Sequence, residues 1–150
     1  MPDQKIYDYT IGRLATLTDS KVQTIRYYEE IGLLPTPVRN AGNQRRYCKD
    51  DLDRLNFIRH ARRLGFPLDR IRTMLDLAGT PDRPCAEIDT LARDQLKEVE
   101  DRIAVLEDLR GELKRMVTAC AGGAAGDCRI IEVLSDHTLC ATDHPAAVQL

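Results

Sequence analysis

Three cysteines in this chain are spaced to capture a metal ion between two copies of it rather than within one. Cys85 precedes a long uninterrupted stretch, Cys120 follows it, and Cys128 comes eight residues later. Residues 86–118 contain no proline and a single glycine, Gly111. Their apolar positions Leu96, Val99, Ile103, Leu106, Leu113 and Val117 recur in steps of three and four, with one position skipped at Arg110. That is a heptad seam, and it predicts a coiled-coil helix. At about 1.5 Å rise per residue, the path from Cys85 to Cys120 is roughly 50 Å, so these thiols cannot meet in one straight helix. In an antiparallel pair, Cys85 of one subunit comes beside Cys120 and Cys128 of the other. The expected site is a three-thiolate set that exists only in a homodimer, twice over by symmetry.

Three thiolates suit a soft or borderline dication better than copper(I), for which two suffice. Zinc normally takes four ligands. Water, Asp127 beside the second loop cysteine, or His137, Cys140 and His144 in the tail are the candidates for a fourth. Mercury(II) and lead(II) accept three sulfurs. Cys140 and His144 are also candidates for an auxiliary metal site; the competing reading is a disordered tail with incidental ligand types. A free cysteine can equally be a small buried hydrophobe, and Cys48 is read that way, or as a weak helix cap.

The remaining composition narrows the class. No CxxC or HExxH occurs, and the three histidines are scattered at positions 60, 137 and 144. A thiol oxidoreductase or metal hydrolase is therefore not expected, and the chain is read as a non-enzyme. A thiol-based redox-sensing regulator using the same cysteines is the nearer alternative. The start, MPDQKIYDY, lacks a basic segment and an apolar core, and no run of 18 apolar residues exists, so a cytoplasmic protein with reduced thiols and no membrane partner is expected.

The net charge of −2 is unevenly spread. Residues 1–76 hold 14 Lys/Arg against 10 Asp/Glu, giving +4, and residues 77–150 hold 8 against 14, giving −6. A basic N-terminal half points to a polyanion partner. There, Thr10 caps a first helix through Ile11, Leu14, Ala15 and Leu17. Asp19-Ser20 ends it and caps a second helix through Val22, Ile25 and Tyr28 to near Gly32. Two short helices across a tight turn form a helix-turn-helix, whose second helix enters the major groove of double-stranded DNA. Lys21, Gln23 and Thr24 are then the residues that meet the bases. In PTPVRNAGNQRRY, a turn at residues 40–43 is flanked by arginines, as in a DNA-binding wing, with Arg39, Arg45 and Tyr47 placed on phosphates. A further helix from about Asp50 ends at Gly65 and carries Arg59, Arg62 and Arg63 toward phosphate. Pro67 opens another, with Leu68, Ile71, Met74 and Leu75 on its apolar face.

The run YTIGRLA, TIRYYEEIGLL, RNAGNQRRY and DLDRLNFIRHARRLGFPLDRIRTML resembles the winged-helix domain of the MerR family of transcriptional regulators, and the resemblance extends over residues 8 to about 134. It implies that Arg26, Tyr27, Arg39, Arg45 and Tyr47 contact phosphate and that Gln23 reads a base. Gln44 departs from the family's usual wing aromatic, and Cys48 from its usual Ser or Thr cap. TACAGGAAGDCRIIEVL resembles the short metal loop of the family's copper, zinc, cadmium, lead and mercury sensors. Monovalent-ion sensors carry Ser at the start of the long helix and divalent-ion sensors carry Cys, so Cys85 implies a divalent ion: zinc on grounds of availability, or cadmium, lead or mercury. A copper(I)-type sensor using Cys120 and Cys128 alone is the alternative. The resemblance also implies the mechanism: the dimer distorts promoter DNA when metal binds, so that RNA polymerase engages both promoter elements and transcribes an efflux or metal-resistance gene.

The expected architecture is mainly α: a winged helix-turn-helix domain over 1–78, a hinge and antiparallel coiled-coil dimerisation helix over 79–119, a metal-binding loop and short helix over 120–134, and a flexible tail over 135–150.

Overall fold

The computed structural model describes residues 5–120 and 122–140. It is mainly helical, in the order α1 (Ile11–Thr18), α2 (Val22–Glu30), β1 (Val38–Arg39), β2 (Arg45–Arg46), α3 (Lys49–Arg63), α4 (Leu68–Ala78), α5 (Ala86–Ala119) and α6 (Arg129–Ser135). Short 3₁₀ turns cover Ala125–Asp127 and His137–Leu139. Two compact units divide within α5, after Leu91.

In the first unit, Thr10 Oγ1 accepts the Arg13 N–H at 3.2 Å and starts α1. Asp19, in left-handed conformation at φ 49°, ends it. Asp is one of the few non-glycine residues that tolerate this geometry. The expected Ser20 cap of α2 is not formed. Ser20 Oγ donates instead to the Thr18 carbonyl at 3.3 Å, and Lys21 occupies the N-cap without a side-chain bond. Beyond the other end of α2, Gly32 takes φ 70°. Arg72 donates to the Ile31 and Gly32 carbonyls, at 2.5 and 3.1 Å, and Arg54 Nε donates to the Leu33 carbonyl at 2.7 Å. Cations on carbonyls just past a helix end satisfy acceptors that the helix leaves open.

Leu14, Ile25, Leu33, Leu55, Ile58 and Ile71 form the fully buried centre of this unit. Each helix from α1 to α4 thus buries one apolar stripe on a shared core. The antiparallel hairpin pairs Val38 with Arg46 and Arg39 with Arg45. Asn40 and Asn43 close its turn, the latter at φ 59°. Gln44, in place of an aromatic, is held within the turn: its N–H reaches Asn40 Oδ1 at 2.9 Å and its Oε1 accepts from Asn40 Nδ2 at 3.3 Å. Tyr9 and Tyr47 exchange two backbone hydrogen bonds, joining the chain before α1 to the end of the hairpin.

In the second unit, Met116 of α5 and Val133 of α6 are buried, whereas Leu96, Val99, Ile103, Leu106, Leu113 and Val117 are all exposed. The seam side chains therefore remain uncovered along α5. Residues His137–Leu139, within the stretch expected as a tail, form a 3₁₀ turn. Asp136 Oδ1 accepts from the Thr138 N–H at 3.0 Å and from its hydroxyl at 2.7 Å. Among the described residues, no helix is long and apolar enough to cross a membrane.

Candidate nucleic-acid interface and metal centre

The helix-turn-helix presents its second helix outward. Ile25 points into the core, leaving Lys21, Gln23, Arg26 and Tyr27 exposed and Thr24 half-buried. Beside them, a cleft of about 290 Å³ is lined by Arg26, Arg39 and Arg45 together with Thr10, Ile11, Asn43 and Gln44. Arg39 Nη1 donates to the Asn43 carbonyl at 2.8 Å, which braces its side chain along the wing. Three guanidiniums from α2 and both wing strands thus converge at one opening, next to the N-terminus of α1. That composition fits a phosphate.

Tyr47 requires a correction. It is 1% exposed, lies in the core, and donates its hydroxyl to Glu29 Oε1. Burial and the adjacent carboxylate raise its pKa, so the phenol stays protonated. A phosphate cannot reach it in this structure. Glu29 also accepts from Arg45 Nε at 3.1 Å. No pattern in the sequence separates this acid from its neighbour Glu30. Of the α3 arginines, Arg59 pairs with Asp19 at 2.6 Å and Arg62 donates to the Phe66 carbonyl at 3.0 Å. Cys48 is buried at the N-cap of α3. Its backbone N–H donates to Asp51 Oδ2 at 2.8 Å and its thiol reaches the same oxygen at 3.3 Å.

Of the three candidate thiols, the structure brings two together within one chain. Cys120 follows α5 and Cys128 caps α6, separated by a loop containing Gly122 and Gly123, both at positive φ. The backbone N–H groups of Ile131 and Ile130 lower the pKa of Cys128, as does a hydrogen bond from the Cys120 thiol. A helix N-terminus thus favours a thiolate where a second sulfur already stands. Two adjacent sulfurs, one favoured as thiolate, fit a soft or borderline metal ion. Cys85 belongs to the other unit; it is exposed, and its carbonyl accepts the Asp89 N–H at the start of α5. Among the described residues, no three His, Cys, Asp or Glu side chains gather to hold a metal.

Cys140 is turned to a different partner. Burial and a hydrogen bond to the Glu112 carboxylate raise its pKa. Glu112 is itself nearly buried and pairs with Arg115 at 2.6 Å. The other auxiliary candidate, His144, lies outside the described residues.

These features define a winged helix-turn-helix regulator with a long C-terminal helix. The family description "MerR HTH family regulatory protein" matches residues 9–78, and "MerR, DNA binding" matches residues 52–116. The chain is 42% identical over 129 residues to the HTH-type transcriptional regulator ZntR of Escherichia coli K12, covering 84% of this chain and 92% of that protein. It is 35% identical over 127 residues to the HTH-type transcriptional regulator CueR of Vibrio cholerae, covering 85% and 91%. The crystal structure of the transcription regulator PbrR691 from Ralstonia metallidurans CH34, in complex with lead(II), superposes with TM-score 0.73 at 36% identity, covering 84% of this chain and 98% of that one. The chain belongs to the MerR family of transcriptional regulators.

Proposed function

We propose that this protein is a metal-responsive transcriptional regulator whose inducer is a soft or borderline divalent ion, held by Cys120 and Cys128 of one subunit and Cys85 of its partner. The observation that carries the reading is a combination on one helix. Cys85 stands exposed at the start of α5, Cys120 and Cys128 flank the short loop beyond its end with the Cys120 thiol lowering the pKa of Cys128, and the six seam residues between are uncovered. An antiparallel homodimer through that seam satisfies all three features at once. The lead(II) complex of PbrR691 supports a soft dication.

Promoter DNA is the macromolecular partner. Arg26, Arg39 and Arg45 neutralise phosphates, Tyr27 contacts the backbone, and Lys21, Gln23 and Thr24 face base edges in the major groove. The bound metal supplies a cross-subunit link that biases the dimer between two shapes. One of these bends and untwists the promoter so that RNA polymerase engages both its elements and transcribes a metal-resistance or efflux gene.

A second reading, a copper(I)-type sensor using Cys120 and Cys128 alone, is favoured by the position of those two thiols on either side of one short loop, where the Cys120 thiol lowers the pKa of Cys128. Competition among Zn²⁺, Cd²⁺, Pb²⁺, Hg²⁺ and Cu⁺ for the purified protein separates the two, when combined with transcription from the target promoter by the unmodified protein and by Cys85→Ser. The divalent reading expects Cys85→Ser to bind DNA normally and lose its response to divalent ions. An undiminished divalent response in Cys85→Ser refutes it.

A further inference from the structure

We infer that Glu29 is a positioning residue for DNA binding, holding Arg45 so that its terminal guanidinium nitrogens face the phosphate cleft. The inference rests on the reading of that cleft as a phosphate site. The Glu29 side chain is only 8% exposed. One of its oxygens accepts the hydroxyl of the buried Tyr47, which fixes the carboxylate against the core. The other accepts Arg45 Nε at 3.1 Å. Using Nε leaves both Nη groups of Arg45 for another acceptor, and Arg45 lines the cleft with Arg26 and Arg39. Glu29 comes from α2 and Arg45 and Tyr47 from the hairpin, so the carboxylate also ties the groove-entering helix to the wing.

An acid beside a polyanion ordinarily weakens binding, because it adds repulsion and cancels a nearby cation. By charge alone, Glu29→Gln should tighten DNA binding. The geometry requires the opposite. Glutamine offers a single neutral acceptor oxygen and an NH2 in place of two charged oxygens, so the charge-assisted bond to Arg45 Nε is lost, the guanidinium is held less firmly, and its planar fork meets the phosphate less well.

The test is a double-mutant cycle on full-length protein, using a duplex selected by the unmodified protein from a random-sequence library. Glu29→Gln is expected to weaken binding about tenfold, the scale of one charge-assisted hydrogen bond, and to reduce the salt slope by about 0.9, as one phosphate contact does. In an Arg45→Ala background it should have no further effect. Arg45→Lys, which alters no buried group, keeps the charge but cannot bridge carboxylate and phosphate together. It should lose most of what Arg45→Ala loses, so the proposal stays testable even where Glu29→Gln folds poorly. Tighter or unchanged binding by Glu29→Gln, an undiminished effect in the Arg45→Ala background, or wild-type affinity in Arg45→Lys overturns the inference. Failure of the unmodified protein to bind any duplex overturns the regulator reading and the inference with it.

Discussion

Leu113 offers a direct measure of the dimer seam. Its side chain is 60% exposed on α5, although leucine is a strongly apolar residue in the middle of a heptad pattern. Burying a whole leucine side chain contributes about 1.5–3 kcal/mol, so covering the remaining three-fifths contributes roughly 1–2 kcal/mol per subunit. A two-fold interface buries the residue twice, and Leu113→Ala should therefore cost about 2–4 kcal/mol per dimer. The dissociation constant of the dimer should rise on the order of a hundredfold. Fluorescence-detected sedimentation across nanomolar to micromolar concentrations resolves that shift. Leu17→Ala is the control, since Leu17 is 42% exposed but lies on α1, outside the seam. A Leu113→Ala dimer as tight as the unmodified one, or a Leu17→Ala dimer weakened equally, would show that α5 does not pair through this face.

Other consequences are more local. Arg39→Ala should weaken binding to all DNA sequences alike and lower the salt slope by about 0.9, whereas Gln23→Ala should relax preference at one base position; salt titration and duplex selection distinguish them. In metal-free protein, the lowered pKa of Cys128 makes its thiolate abundant at lower pH than usual, while the raised pKa of Cys140 delays its thiolate to higher pH. Mass-spectrometric mapping of iodoacetamide labelling should therefore find Cys128 labelled before Cys140 as pH rises. Thr10→Ala removes the N-cap bond to the Arg13 N–H and should lower stability by about 1 kcal/mol in denaturant titration.

Much of this fold is legible in the sequence because its signals are local. Thr10 as a cap and Pro67 before α4 mark helix starts by backbone chemistry, and the three-four spacing on α5 marks one apolar face without reference to any other element. Features that depend on distant partners are not legible. Tyr47 carries a donor hydroxyl beside arginines, so in sequence it reads as a phosphate ligand; only folding places Glu29, eighteen residues earlier, against it and takes it into the core. Ser20 has the right chemistry for a cap, yet its hydroxyl turns back to Thr18. The turn at residues 137–139 is stabilised by Asp136, and the Cys140 thiol beyond it meets Glu112. Polar tail composition shows neither contact. The metal centre is intermediate. The cysteine spacing proposes three ligands, and a single chain places two of those candidates on either side of one short loop.

Whether the third ligand comes from the partner subunit is tested most directly by mixing two defective proteins. One subunit carries Cys85→Ser and the other carries Cys120→Ser with Cys128→Ser. In their heterodimer, one site retains all three thiols and the other retains none. Direct metal titration should find one tightly bound divalent ion per heterodimer, and almost none in either mutant homodimer. No recovery on mixing, with heterodimer formation confirmed by native mass spectrometry, would contradict a site shared between subunits.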